Sequence, residues 1–282
     1  MNCAWELYLA LLPNWLRPQV DQVGCENLQE LRLRLGHQPE MILLNGIKRL
    51  DRLVVRDDLE QCIRFASKYS PWSLNTVSKG YITGPGGHRI GICGSFVYNS
   101  ELIPVLQSPG MLNLRVARDF VDIAPEPHES LGSILILGKP GSGKTTLLRD
   151  LIRKRAKCHA DMISVVDERE EICPLVNGDY CFPFDGQVDI LSGCKKSHGI
   201  EMALRNMTPS IIATDEITAT EDCEALIHAG WCGVKLYATA HAGCAEDLYA
   251  RPVYRPIVTS GIFQTLVIMQ EDKSWYTERM RV

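Results

Sequence analysis

Gly138, Gly143, Lys144 and Thr145 stand at the spacing G-x-x-x-x-G-K-[ST], written GKPGSGKT, between the apolar run SILIL and the segment LLRDLIRKR. A strand that turns into a helix through such a loop can cradle phosphate. Gly138, Gly141 and Gly143 lack a β-carbon, so the main chain can take positive φ and turn its N–H groups inward. Nucleotide contacts are expected along Gly138, Lys139, Pro140, Gly141, Ser142, Gly143, Lys144, Thr145 and Thr146. Lys144 offers a point charge to the β and γ phosphates and Thr145 a hydroxyl to Mg²⁺. The helix start adds the positive end of its dipole.

Two acidic strings follow. In SIIATDEI, Asp215 is placed to hold the metal shell, directly or through water, and Glu216 to orient and deprotonate an attacking water. In VVDEREEI, Asp167 and Glu168 close another apolar run, where a carboxylate can position water or a metal-bound water. Glu168 and Glu216 therefore both stand as candidate bases. His241, in KLYATAHA, is placed to sense the γ phosphate by a hydrogen bond.

These residues need elements that bring them to one edge. SILIL, MISVV, SIIAT and KLYAT are short apolar runs, each followed by polar or acidic residues, the pattern of buried parallel strands. Ligands bind at the carboxyl ends of such strands, where Gly138, Asp167, Asp215 and His241 fall. The C-terminal stretch reads as a hairpin turned at Glu271-Asp272-Lys273. The basic residues of the loop helix, Arg149, Arg153, Lys154, Arg155 and Lys157, read as the wet side of an amphipathic helix. Trp231, Cys232 and Tyr237 read as core or subunit contact.

Upstream the pattern differs. Trp5–Leu12 predicts a short helix ended by Pro13, and 57–69 a second helix with apolar residues at Leu59, Cys62, Ile63 and Ala66. ELRLRLG, PEMILL and MLNLRVAR predict strands, and GYITGPGGHRIGICGSFVY two strands around the tip 84–87. Leu31, Leu33 and Leu35 would line an apolar sheet face, Arg32 and Arg34 a basic one. Prolines, acids and a glycine in APEPHESLG mark a linker. The domains are placed at 1–128, a small α+β unit, and 129–282, an α/β unit.

With 282 residues and 45% apolar content, two cores are within reach. A net charge of −4 gives no global field for nucleic acid or anionic lipid. Eleven cysteines without a C-x-x-C pair read as reduced thiols, and no apolar run approaches the roughly 20 residues that span a bilayer. Membrane contact is expected to be peripheral.

The ordered series ELRLRLG, GYITGPGGHRIGICG, MLNLRVAR, GKPGSGKTTLLRDLIR, VVDEREEI, ALRNMTPSIIATDEI and EALIHAGWCGVKLYATAHA resembles the secretion-type branch of the RecA-like ATPases, and more narrowly its sporulation stage III AA family. Asp167 with Glu168, Arg205 with Pro209, and His241 match that branch's DE element, LR-x-x-P segment and histidine box. The resemblance implies a RecA-like P-loop ATPase domain with a predominantly parallel sheet behind a smaller α+β domain. It implies ATP and Mg²⁺, a ring, a hexamer, that hydrolyses between subunits, and first-domain arginines near nucleotide, here Arg115 and Arg118 with Arg89. It also implies the mother-cell cytoplasm, at the membrane facing the forespore, with membrane proteins of a secretion-like channel as partners and no nucleic acid. Two departures stand out: DEITATED lacks the glycine and arginine that follow the acidic strand end, and Gln187 stands where an arginine is expected. A nucleic-acid-dependent RecA-like motor and a nucleotide-switched scaffold with little turnover are the alternatives.

Overall fold

A computed structural model describes residues 1–67, 80–98, 104–126, 131–157, 161–176 and 179–281. The described chain divides into two compact units, residues 1–119 with 174–181, and residues 120–173 with 182–282.

In the first unit, α1 (Trp5–Ala10) and α2 (Arg17–Asp21) precede β1 (Leu28–Arg34), β2 (Glu40–Leu43), β3 (Gly46–Arg49), α3 (Arg56–Ser67), β4 (Tyr81–Thr83), β5 (Arg89–Tyr98) and β6 (Pro104–Arg115). The strands form one antiparallel sheet ordered β3-β2-β1-β6-β5-β4. Leu31, Leu33, Leu112 and Leu114 point from it into a core shared with Tyr8, Leu12, Leu59 and Cys62. α1 and α3 fall where apolar spacing predicts helices, whereas α2 has no counterpart in that reading; positions 68 and 69 of the second predicted helix lie outside the described residues. The alternation of β1 ends early, because Leu35 lies beyond the strand and is exposed. Nor is the opposite face a basic track, since Arg32 pairs with Glu30, and Arg34 and Arg49 with Glu40. β3 was not legible: all four residues of GIKR are exposed, so burial leaves no periodic mark.

The rest of the chain runs β7 (Ile134–Leu137), α4 (Lys144–Ala156), β8 (Ile163–Asp167), the two-residue strands β9 (Leu175–Val176) and β10 (Asp179–Tyr180), β11 (Val188–Ser192), α5 (Lys196–Asn206), β12 (Ile211–Ile217), α6 (Thr220–Trp231), β13 (Lys235–Ala240), α7 (Ala245–Ala250), α8 (Arg255–Ser260), β14 (Thr265–Met269) and β15 (Trp275–Arg279). The large sheet is ordered β11-β8-β12-β13-β7-β14-β15, parallel throughout except the terminal β14–β15 hairpin. β7, β8, β13, β14 and the first four residues of β12 are buried on both faces, which explains their apolar sequences, whereas the outer strands β11 and β15 are partly exposed. Ile134, Ile136, Ala213 and Val267 face one core with Leu147, Leu148 and Leu151 of α4. Leu135, Leu137, Ile212 and Leu266 face the other with Ile200 of α5 and Leu226 of α6. The second unit is thus α/β, as the apolar runs predict.

The wet-face reading of α4 is wrong for most of its cations. Arg149, Arg153 and Arg155 are buried. Arg149 donates to the carbonyls of Ile172 and Glu171, Arg153 pairs with Asp150, and Arg155 pairs with Asp161 at 2.5 Å. Lys154 holds the carbonyl of Ala124 and Glu126. Asp150 itself accepts the amides of Asp122, Ile123 and Ala124, so charges on this helix anchor the chain that enters the unit. Tyr237 is buried, but Trp231 is 75% exposed and does not belong to the core. No described helix is long and apolar enough to cross a membrane.

Candidate functional site

The order of the large sheet sets the site. β13 lies between β7, which feeds the glycine-rich loop, and β12, which ends in the acids. Residues leaving β13 therefore stand between loop and acids. Gly141 and Gly143 take φ of 74° and 103°, and α4 begins at Lys144 directly after Gly143. A β-carbon on Gly138 would meet the Ser142 Oγ at 2.4 Å, so that position needs glycine. Lys139, Pro140 and Gly141 form the exposed rim, and Thr146 lies in the first turn of α4. The β14–β15 turn reaches this rim, with Glu271 on Lys139 at 2.7 Å and Lys273 on the Gly141 carbonyl.

Inside the loop, Lys144 is buried, its Nζ donating to the Lys139 carbonyl at 3.1 Å and to His241 Nδ1 at 3.0 Å. Burial lowers its pKa and Asp215 opposes that shift. The Ser142 hydroxyl is buried and has no hydrogen-bond partner among the described residues. An orphaned hydroxyl in a glycine-rich loop that also holds a buried ammonium offers donors of the kind a phosphate takes. Thr145 Oγ1 donates to Asp215 Oδ2 at 2.6 Å. That pair suits Mg²⁺, which keeps several waters and takes one or two protein oxygens alongside phosphate.

At the end of β12 the ladder slips between Thr214 and Ile217, and Glu216 adopts φ of 50°. A non-glycine residue in that left-handed region costs of order 1–3 kcal/mol and persists only where its surroundings hold it. They do so on every polar atom. The Glu216 amide donates to Thr239 Oγ1 at 2.8 Å and to Asp215 Oδ1 at 3.0 Å, and Thr239 Oγ1 donates in turn to Asp215 Oδ1. Its carbonyl accepts from Lys196 Nζ at 2.9 Å. One carboxylate oxygen meets His241 Nε2 at 2.5 Å and the other meets the Arg169 guanidinium. Lys144 can only donate, so His241 Nδ1 accepts and Nε2 carries the proton toward Glu216. Burial, and then the neighbouring Lys144, lower the His241 pKa, in keeping with a neutral ring.

The structure thus brings together Lys144, Thr145, Asp215, Glu216 and His241. Asp167 ends β8, the strand beside β12, but its carboxylate is otherwise engaged. Only 1% exposed, its carboxylate accepts the amides of Glu171, Ile172 and Cys173 at 2.8–3.0 Å and so builds the turn after β8. Burial raises its pKa to about 6, against the pull of those amides. Glu168 lies 3.6 Å from Lys196 Nζ, one residue removed from Glu216. Arg205 faces Glu201 on the exposed side of α5. In the first unit, Arg115 is exposed and lies 3.8 Å from Glu30, Arg118 donates to the carbonyls of Cys25 and Leu28, and Arg89 lies over Tyr81.

Three residues of the site gave too little signal in the sequence. Thr239 reads as one more residue of a buried strand, although its place two before His241 puts it on the same strand face. Arg169 is hidden in an acidic string that reads as a solvated loop. Lys196 opens α5, where a cation opposes the helix dipole and so marks nothing by local rules.

Known proteins agree with this architecture. The family described as Sporulation stage III, protein AA matches residues 10–278. Stage III sporulation protein AA of Bacillus subtilis (strain 168) is 34% identical over 263 residues, covering 89% of this chain and 85% of that protein. Among solved structures, the ATPase DotB of Legionella pneumophila superposes with a TM-score of 0.59 at 15% identity, covering 95% of this chain and 80% of that one. The pilus retraction motor PilT with bound ADP gives 0.61 at 17% identity, covering 89% and 77%. The fold is that of the RecA-like secretion ATPases, and by extent and identity of the match the chain belongs to the sporulation stage III protein AA family.

Proposed function

We propose that this chain is a Mg²⁺-dependent ATPase that turns hydrolysis into subunit motion for a secretion-like channel complex of sporulation. The observation that carries the reading is the Thr145–Asp215 contact at 2.6 Å with Glu216 next in sequence and Lys144 inside the loop. A metal-holding hydroxyl, its acid, a base and a phosphate-binding ammonium then surround one point. Thr145 and Asp215 would hold Mg²⁺, whose charge would offset that of the phosphates.

Glu216 is the better placed of the two candidate bases, because it shares a hydrogen bond with His241, which also holds Lys144, whereas Glu168 faces Lys196. A terminal phosphate arriving at Lys144 would compete with His241 for the ammonium, and His241 would transmit that change to Glu216. The reading extends to a hexameric ring in the mother-cell cytoplasm, peripheral at the membrane facing the forespore and docked to membrane proteins of the channel; membership of the sporulation family supports it. Arg115, with an exposed guanidinium, is the first-unit arginine best suited to act on nucleotide; Arg118 is held by carbonyls. The pairing of Arg32 with Glu30 and of Arg34 with Glu40 favours this reading over a nucleic-acid-dependent motor, which needs a free cationic track.

Calorimetry with MgATP alongside phosphate release tests the reading. Lys144→Ala should lose ATP binding, and Glu216→Gln should keep ATP and lose turnover by about 10²-fold or more. Turnover unchanged in Glu216→Gln would refute it.

A further inference from the structure

Glu216 is held in an unfavourable backbone conformation by groups that the hydrolysis reading does not use. Lys196 is 4% exposed, and its Nζ reaches the Glu216 carbonyl at 2.9 Å, Asp222 at 3.5 Å and Glu168 at 3.6 Å. Asp222 in turn accepts the amides of Thr218 and Ala219 at the start of α6. One buried ammonium thereby ties the end of β12, the first turn of α6 and the loop after β8. A buried charge costs several kcal/mol unless it is well partnered, so three acceptors around one lysine are a fixed point of the structure. Arg169 acts on the same glutamate from the other end. Its guanidinium spans Glu216 and Glu171, the latter at 3.2 Å, and Glu171 belongs to the turn that Asp167 builds.

We propose that Lys196 and Arg169 are positioning residues that aim Glu216, the first through its main-chain carbonyl and the second through its carboxylate. Lys196 satisfies the carbonyl that the left-handed residue turns out of the ladder. Arg169 and His241 then hold the carboxylate from both sides, which fixes its plane while leaving lone pairs on each oxygen for a water. Positioning matters at this scale, because a displacement near 1 Å at a reacting group can cost about 10²-fold in rate. The inference rests on the hydrolysis reading above, and neither cation needs to touch phosphate.

Steady-state and single-turnover ATP hydrolysis by the full chain tests it, with Arg169→Gln, Arg169→Lys, Lys196→Met and Lys196→Arg. Arg169→Gln should lower kcat about 10- to 100-fold with KM for ATP changed less than about twofold, and Arg169→Lys should restore part of the loss. In a Glu216→Gln background, Arg169→Gln should cost nothing further, because the group it aims is gone. Lys196→Met should show the same split. If that variant fails to fold, Lys196→Arg and the Arg169 series carry the test. Unchanged kcat in Arg169→Gln, a raised KM with kcat kept, or an undiminished loss in the Glu216→Gln background would each overturn the proposal. A wild type that binds MgATP but releases no phosphate would defeat the hydrolysis reading itself and this inference with it.

Discussion

Thr239 shows how much one hydroxyl can organise. It accepts the Glu216 amide and donates to Asp215, which also receives Thr145, so metal ligand, base and loop are coupled through a buried strand residue. Thr239→Val keeps the shape and removes both bonds. Leaving the Glu216 amide without that acceptor should destabilise the chain by about 1–3 kcal/mol, read from the urea midpoint, and kcat should fall at least tenfold while ATP still binds. At this scale the sequence shows which residues meet where a motif prescribes residue types at fixed spacing, since Lys144, Thr145 and the Asp215-Glu216 pair lie together in the structure. It does not show that Asp167, an acid at a strand end that reads as a site group, satisfies three amides of its own turn. Local sequence cannot tell these apart, since both put a carboxylate after an apolar strand.

Elements were easier to read than their edges. The buried parallel strands announce themselves by continuous apolar runs, whereas β11, a sheet-edge strand with partly exposed residues, and β3, wholly exposed, do not. The cations of α4 were misjudged because an amphipathic pattern cannot show that a neighbouring loop will cover the polar side. In the first unit, His88 ties three elements together: Nε2 donates to the Ala4 carbonyl at 2.9 Å and Nδ1 accepts the Ala117 amide at 3.0 Å. Burial lowers its pKa to about 4 from an ordinary 6.5. The unfolded chain therefore takes up a proton below about 6.5 that the folded chain refuses until about 4. Stability should be fully present above pH 6.5 and decline as pH falls toward 4, by roughly 3 kcal/mol for this group. Denaturant unfolding of the wild type and His88→Gln between pH 4 and 7 checks this; the variant should lose most of the slope, and an equal slope would assign it elsewhere.

For the whole molecule, the proposed work depends on assembly. For the proposed ring, mass in solution with and without a non-hydrolysable ATP analogue should show a nucleotide-dependent increase. Mass independent of nucleotide at all concentrations would separate this chain from such a mechanism. Trp231, 75% exposed at the end of α6, gives that experiment a local reporter, since its fluorescence should change if the face carrying it is covered. Beneath assembly lies the claim that the glycine-rich loop and the acids of β12 together hold a magnesium-bound triphosphate. The most direct measurement is calorimetric titration of MgATP into Glu216→Gln, in which hydrolysis does not blur the binding heat. Saturable uptake of one nucleotide per chain, absent when Lys144→Ala is added, is the predicted result; folded protein that takes up no ATP would contradict the account.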